Sequence, residues 1–360
     1  MLGSFESDNS AFEDWLHAQC DVVQDDLDHK HSKMEDSAFV FLRATFFRWA
    51  KEIANICPDC ADAPKILAVG DIHVENYGVW RDREGRLVWG INDFDEAART
   101  PYTFDLVRLT ASAILSPTIN LSDEKIAAAI LTGYQAGLAK PGPILLDRDN
   151  LWMRELAMAN DAHRVEFWAE IDASKRAKAP SEAREALTSD LPRRAEIIRF
   201  IKRRSGTGSL GKPRFAVIAH WRGGDLVREA KAATASSWSW ANGKGGKETL
   251  VMDLARSPSR APDPYLDVRR GYIVRRLAPD SRKIEFDSRP RYELEERVLA
   301  LMGQDLASVH GARKRGTIAG DLSRRQGLWL AKAARAAVSF VEADFAAWRS
   351  RRRRAAAERA

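Results

Sequence analysis

The stretch EIIRFIKRRSGTGSLGKPRFAVIAHW, residues 196–221, decides how the rest of the chain is read. Its centre, GTGSLG (206–211), fits G-x-G-x-x-G, the pattern of a dinucleotide-binding turn. That turn needs a strand before the glycines and a helix directly after them. Here Pro213 and the strand-like RFAVIAHW follow instead, so the glycines join two antiparallel strands. DLVREAK (225–231) adds a third strand, and the three read as a meander broken by SGTGSLGKP and RGG. KETLVMDLARS (247–257) reads as a short helix and GYIVRRLA (271–278) as a further strand.

Outside this module the pattern is helical. Residues 37–56, SAFVFLRATFFRWAKEIANI, carry one amphipathic helix, and 104–116 and 123–139 two more, the last with SDEK as its N-cap. The charged stretch 150–200 reads as exposed helices or a linker. From about residue 291 the chain is helical to its end, with a long amphipathic run from Gln326 to Trp348. No internal repeat is visible. The expected class is α+β, with a helical lobe over 1–195, a β-rich lobe over 196–290 and closing helices over 291–360.

A chain of 360 residues with a net charge of +6 buries a substantial core and is not disordered by composition. No apolar run reaches the length of a membrane helix, and the acidic N-terminus lacks the basic start of a signal peptide. The expectation is a cytoplasmic protein that does not engage a membrane. RSRRRRAAAERA (349–360) is basic, but carboxylates interspersed elsewhere argue against one phosphate-binding face, so nucleic acid is not the expected partner. CPDC (57–60) lacks the further ligands of a zinc site and a thioredoxin-like setting, and is read as local structure.

Two acidic stretches carry the chemistry. KILAVGD reads as a strand feeding the loop GDIHVENYG (70–78); after the turn signal DREG, the strand GRLVWG leads into INDFDEA (91–97). Both clusters therefore sit at strand ends and converge on one cleft. Asp71 offers a carboxylate that accepts a proton, Asn76 an amide oxygen for a hard cation, and Asp93 and Asp95 two further oxygen donors. Magnesium favours such ligands and fills its other positions with water and phosphate. Cations held by an Asp and an Asn beside a free Asp are the layout of phosphoryl transfer, and a glycine-rich hairpin is how kinases cover the phosphates. The plain alternatives are a turn, a flexible hairpin, and a transition-metal site on His73 that lacks a second histidine. Arg228 and Lys231 are the candidates for a phosphate-binding cation on the strand after the glycines. Arg228 faces opposite to Val227 and shares its face with Ala230, so Lys231 points the other way.

GDIHVENYG resembles the D-x-H-x-x-N loop of aminoglycoside phosphotransferases and related kinase-like enzymes, INDFD is similar to their metal-binding motif, and PYTFDLVRL to the segment that follows it. The set FVFLRA, GDIHVENYG, INDFDEA, FDLVRL, GTGSLG, VREA and YIVRRL more closely resembles an uncharacterised bacterial domain-of-unknown-function family, over about residues 37 to 345. The resemblance implies a protein-kinase-like two-lobed fold that uses ATP and Mg2+. By position, Asp71 matches the catalytic base, Asn76 and Asp93 the magnesium ligands, His73 a structural histidine of the loop, and Asp105 a buried brace. Gly206, Gly208 and Gly211, with Ser209 among them, match the nucleotide loop, and Arg228 the phosphate-binding lysine. Asp95 and Glu96 are left between a second ion, the acceptor and the cleft edge. The glycine loop follows the catalytic loop, the reverse of ordinary kinase order, so the implied fold is circularly permuted. The expected function is phosphoryl transfer to an unknown hydroxyl; the alternative is a catalytically silent kinase-like protein that binds nucleotide or a protein partner, which the arginine at 228 favours.

Overall fold

The computed structural model describes residues 3–243, 248–281 and 292–358. It is an α+β structure. The chain opens with helices α1 (Phe5–Gln19), α2 (Gln24–Lys33), α3 (Ala38–Ala44), α4 (Phe46–Ile56) and α5 (Pro58–Ala61). The single helix expected over 37–56 is two helices. Thr45 leaves helical geometry at φ −122° and ψ 37°, and its hydroxyl donates to the Phe41 carbonyl at 2.7 Å. Apolar periodicity runs through the break, so the sequence pattern does not reveal it.

Strands β1 (Lys65–Ala68), β2 (Tyr77–Arg81), β3 (Leu87–Ile91) and β4 (Ala98–Pro101) follow. β1 pairs antiparallel with β4 across the β2–β3 hairpin. Helices α6 (Tyr102–Leu115) and α7 (Asp123–Ala139) come next, then β5 (Ile144–Leu145), which extends the hairpin along β3. The charged region holds α8 (Arg154–Ala157), α9 (Asp161–Ala173) and α10 (Ser181–Thr188).

The meander is present as β6 (Glu196–Lys202), β7 (Arg214–Trp221) and β8 (Gly224–Ala232), but the sheet is larger. After α11 (Ser237–Ala241) and α12 (Val251–Ala255), β9 (Asp267–Arg269) and β10 (Tyr272–Leu277) complete five antiparallel strands in the order β6-β7-β8-β10-β9. Both faces are covered. Ile171 of α9, with Phe167 and Trp168, packs on Ala216, Ile218 and Val227; α10 packs Ala183, Ala186 and Leu187 on Phe215, Val217 and Ala230. The boundary expected at 290/291 lies outside the described residues.

The closing helices α13 (Tyr292–Leu322, kinked at Lys314) and α14 (Trp329–Ala357) return to the first half of the chain. α13 lies along α7 at glycine contacts: a Cβ at Gly133 would stand 1.7 Å from the Ala300 carbonyl oxygen, and one at Gly303 2.1 Å from that of Ile130. Arg48 of α4 ties the ends together, pairing with Asp8 of α1 at 2.5 Å, Glu52 at 3.2 Å and Asp344 of α14 at 2.9 Å. One apolar core therefore runs from Phe5 to Trp348. No helix among the described residues is long and apolar enough to cross a membrane.

Candidate active site

The first acidic loop leaves β1 through Val69 and Gly70. Both backbone amides donate to the buried carboxylate of Asp105 on α6, at 2.7 and 3.0 Å. Asp105 is held in turn by His310 of α13 at 3.0 Å, whose other ring nitrogen meets the Tyr134 hydroxyl at 2.9 Å. Gly70 has φ +84°, and a Cβ there would stand 2.2 Å from the Glu96 carbonyl oxygen. Only glycine allows both the left-handed turn and this approach of the two acidic loops. The Asn92 amide, donating to the Asn76 carbonyl at 3.0 Å, fastens the loops a second time.

Asp71 emerges from this frame toward the cleft. Arg108, fully buried on α6, donates to its Oδ1 from Nε at 3.0 Å and also from Nη2. Nη2 reaches the Leu42 carbonyl at 2.8 Å as well, and the guanidinium lies over the rings of Phe46 and Trp49. With Oδ1 doubly engaged, Oδ2 is the oxygen presented to the glycine loop. Burial raises the Asp71 carboxyl above its ordinary range, and the charge of Arg108 opposes that rise. Burial lowers Arg108, with Asp71 acting against the fall.

The turn Val74–Asn76 is closed locally. His73 N donates to Asn76 Oδ1 at 2.6 Å, and His73 Nδ1 accepts from Glu75 N at 3.1 Å. His73 thus shapes the loop. Asn76 can give a cation only the second lone pair of that oxygen. Beyond β3, Asp95 N donates to Asp93 Oδ1 at 3.3 Å. Glu96 is drawn into structure: its carboxylate accepts from Ser237 N at 2.5 Å and lies 3.6 Å from Lys212, while its carbonyl accepts from Ser236.

The glycine loop closes the cleft from the sheet side. A Cβ at Gly208 would stand 2.8 Å from the Arg43 carbonyl oxygen and 3.2 Å from Asp71 Oδ2, so the loop backbone lies against the catalytic candidate. Ser209 Oγ accepts from Arg214 at 2.8 Å, and Gly211 O accepts from Val23 at the start of α2 at 2.9 Å. Asp71, Asn76, Asp93, Asp95, Gly206, Gly208 and Ser209 all line one cleft of about 430 Å³.

Arg228, expected as the phosphate-binding cation, does not line this cleft. It lies on the sheet face that carries Ala230, over the Tyr265 ring at 4.4 Å. Lys231 and Glu229 share the opposite side, where Glu229 lines the cleft and Lys231 lines a small pocket with Asp93 and Asp95. Lys231 contacts the Asp95 carboxylate and lies 3.7 Å from Asp93. Burial works to raise Asp93, but the charge of Lys231 holds it well below the usual carboxylate range. Glu229 is almost wholly buried and pairs with Arg214 at 2.7 Å, Arg275 at 2.9 Å and Arg203 at 3.7 Å. Although desolvation opposes it, these charges lower its pKa to about 2. Among the described residues no cluster of three or more His, Cys, Asp or Glu side chains is placed to hold a metal ion by itself.

The family model described as "Uncharacterized protein conserved in bacteria (DUF2252)" matches residues 23–140 and 149–351. The chain belongs to this family. No curated protein and no solved structure matches it. In this DUF2252 protein the sequence reading missed Arg108, Lys212 and Glu229. Each had a faint signal: one arginine inside the apolar run DLVRLTASA, a lysine directly after the glycines, and one carboxylate within a strand. The basic tail is partly engaged, Arg352 with Glu35 at 2.9 Å and Arg351 with Glu6 at 3.5 Å.

Proposed function

We propose that this DUF2252 protein is a kinase-like phosphotransferase of permuted chain order, moving a phosphoryl group from ATP to a hydroxyl acceptor with Mg2+. One observation carries the reading: Asp71 Oδ2 faces a glycine-rich strand connection across a cleft that also holds Asn76 and Asp93. Phosphoryl transfer needs little covalent help from a protein, and positioning plus charge neutralisation supply most of the catalysis. Here the acceptor hydroxyl would give its proton to Asp71 Oδ2 as its oxygen bonds the γ-phosphorus and the bond to ADP breaks.

The donor set fits magnesium. One carboxylate and one amide oxygen suffice when phosphates and water complete the shell, and Asp93 is held ionised. Bound there, the ion would neutralise phosphate charge. Lys212 and Lys231 are the nearby ammonium groups for the phosphates. Ile91, Leu266 and Leu277 also line the cleft and give apolar surface suited to a purine base.

The test is ATP turnover by the purified chain with Mg2+, with products separated by chromatography. ADP release that Asp71→Ala and Asp93→Ala abolish, with melting temperature retained, is the expected result. Turnover unchanged in Asp71→Ala would refute the reading, and AMP as the product would redirect it to nucleotidyl transfer. A second reading, nucleotide binding without transfer, is favoured by the Arg108–Asp71 pair, which already engages one carboxylate oxygen. It expects ATP-dependent stabilisation and no turnover in the unsubstituted protein.

A further inference from the structure

The ammonium of Lys231 occupies ground that a divalent cation would need. It contacts the Asp95 carboxylate, lies 3.7 Å from Asp93 Oδ1, and its side chain is only 8 % exposed. Of the cations around it, Arg214 and Arg275 pair with Glu229, and Lys212 lies by Glu96. Among the described residues, Lys231 is the cation paired directly with both carboxylates. Like charges repel strongly in a partly buried site, and a hard dication needs carboxylate oxygens free of other cations.

We infer that Lys231 is a tethered counter-ion that keeps Asp93 and Asp95 closed to divalent metal until a phosphate chain draws its ammonium away. The inference rests on the phosphotransferase reading for the identity of the incoming anion. Lysine suits this role because its ammonium is a compact charge on a flexible four-carbon stem, able to change partner without moving the strand. Arginine or apolar residues at this place would block or vacate the pair permanently. Metal and nucleotide then bind with positive coupling, each raising the affinity for the other by the same factor. Metal without nucleotide finds the site shielded, and nucleotide without metal leaves Lys231 shared between the phosphates and the two aspartates.

The experiment is a Mn2+ titration of the full chain without nucleotide, following the loss of the free-ion paramagnetic resonance signal. Lys231→Met is expected to bind one Mn2+ at least about tenfold more tightly than the unsubstituted protein, the scale of a modest coupling energy. Adding Asp93→Asn to that variant is expected to remove the gain. Equal Mn2+ affinity in the two proteins, or a gain that survives Asp93→Asn, overturns the inference. Should Lys231→Met melt well below the parent, Lys231→Gln replaces it and is judged by the same comparison. The readout separates the two claims. A Mn2+ gain in a protein that turns over no ATP keeps the tethered counter-ion and removes the phosphotransferase. ATP turnover with no Mn2+ gain does the reverse.

Discussion

Arg108→Met isolates the charge that holds Asp71. Methionine fills the space between Phe46 and Trp49 at similar volume, so lost packing is a small part of the effect. What is lost is a guanidinium that donates twice to Asp71 Oδ1 and once to the Leu42 carbonyl. Stripping one partner from a buried ion pair costs about 3–5 kcal/mol. The Asp71 side chain is 18 % exposed toward the cleft, where water can partly solvate it. The expected loss is therefore about 2–4 kcal/mol near neutral pH. The sign of its pH dependence follows from Asp71, which burial already raises and which loses its opposing charge in the variant. A carboxyl raised in the folded state destabilises only when ionised, so the penalty is complete above its folded pKa and fades as pH falls through that value. Urea denaturation followed by tryptophan fluorescence, at about pH 7.5 and about pH 5, reads both features. A deficit below about 1 kcal/mol at both pH values, or one that grows in acid, refutes the reasoning.

Glu229→Gln leaves three arginines facing a neutral amide and is expected to cost about 3–5 kcal/mol at neutral pH. Because the Glu229 pKa falls from 4.5 to about 2 on folding, its contribution is present above 4.5 and lost as pH drops toward 2, so the difference between the two proteins must shrink in acid denaturation. Lys30→Met works the other way. The Lys30 ammonium is almost fully buried over Phe12 and Phe47, and desolvation lowers its pKa to about 8. The cost of keeping it charged is complete below about 8 and gone above about 10.5, so the variant should gain about 1–3 kcal/mol at pH 7 and nothing at high pH. Asp105→Asn replaces one carboxylate oxygen with a donor that faces donors. It should cost about 2–3 kcal/mol and speed hydrogen exchange at Val69 and Gly70, whose unchanged protection would count against the brace.

The convergence of the two acidic loops was readable because each loop follows a short apolar strand, and a hairpin between them leaves little conformational freedom. Strand parity in DLVREAK was equally readable: Arg228 and Lys231 do point to opposite faces. Which face borders the cleft was not, because α9 and α10 cover both sides and each face carries apolar residues. The resemblance to a kinase lysine favoured Arg228, whereas Lys231 is the one whose ammonium meets Asp93 and Asp95. The break at Thr45 escaped for a different reason. A threonine hydroxyl bonded back to the preceding turn alters the backbone without altering the period of the apolar side chains. Arg108 lay hidden because its partner is 37 positions earlier in sequence, and periodicity carries no information on such pairs.

The brace on the first acidic loop is assembled from distant parts of the chain: His310 reaches Asp105 across 205 residues of sequence. At ordinary rates of synthesis those residues take roughly 10–40 s to make. During that interval Asp105 lacks its histidine, and the α7 surface at Gly133 has no α13 against it. A nascent chain can therefore fold its first helices and even its five-stranded sheet while the loop bearing Asp71 is still incompletely supported. Fragments from broken messages or stalled ribosomes would carry every motif of the cleft and lack the histidine that holds its brace, so the first acidic loop gains its full support only once synthesis has passed α13.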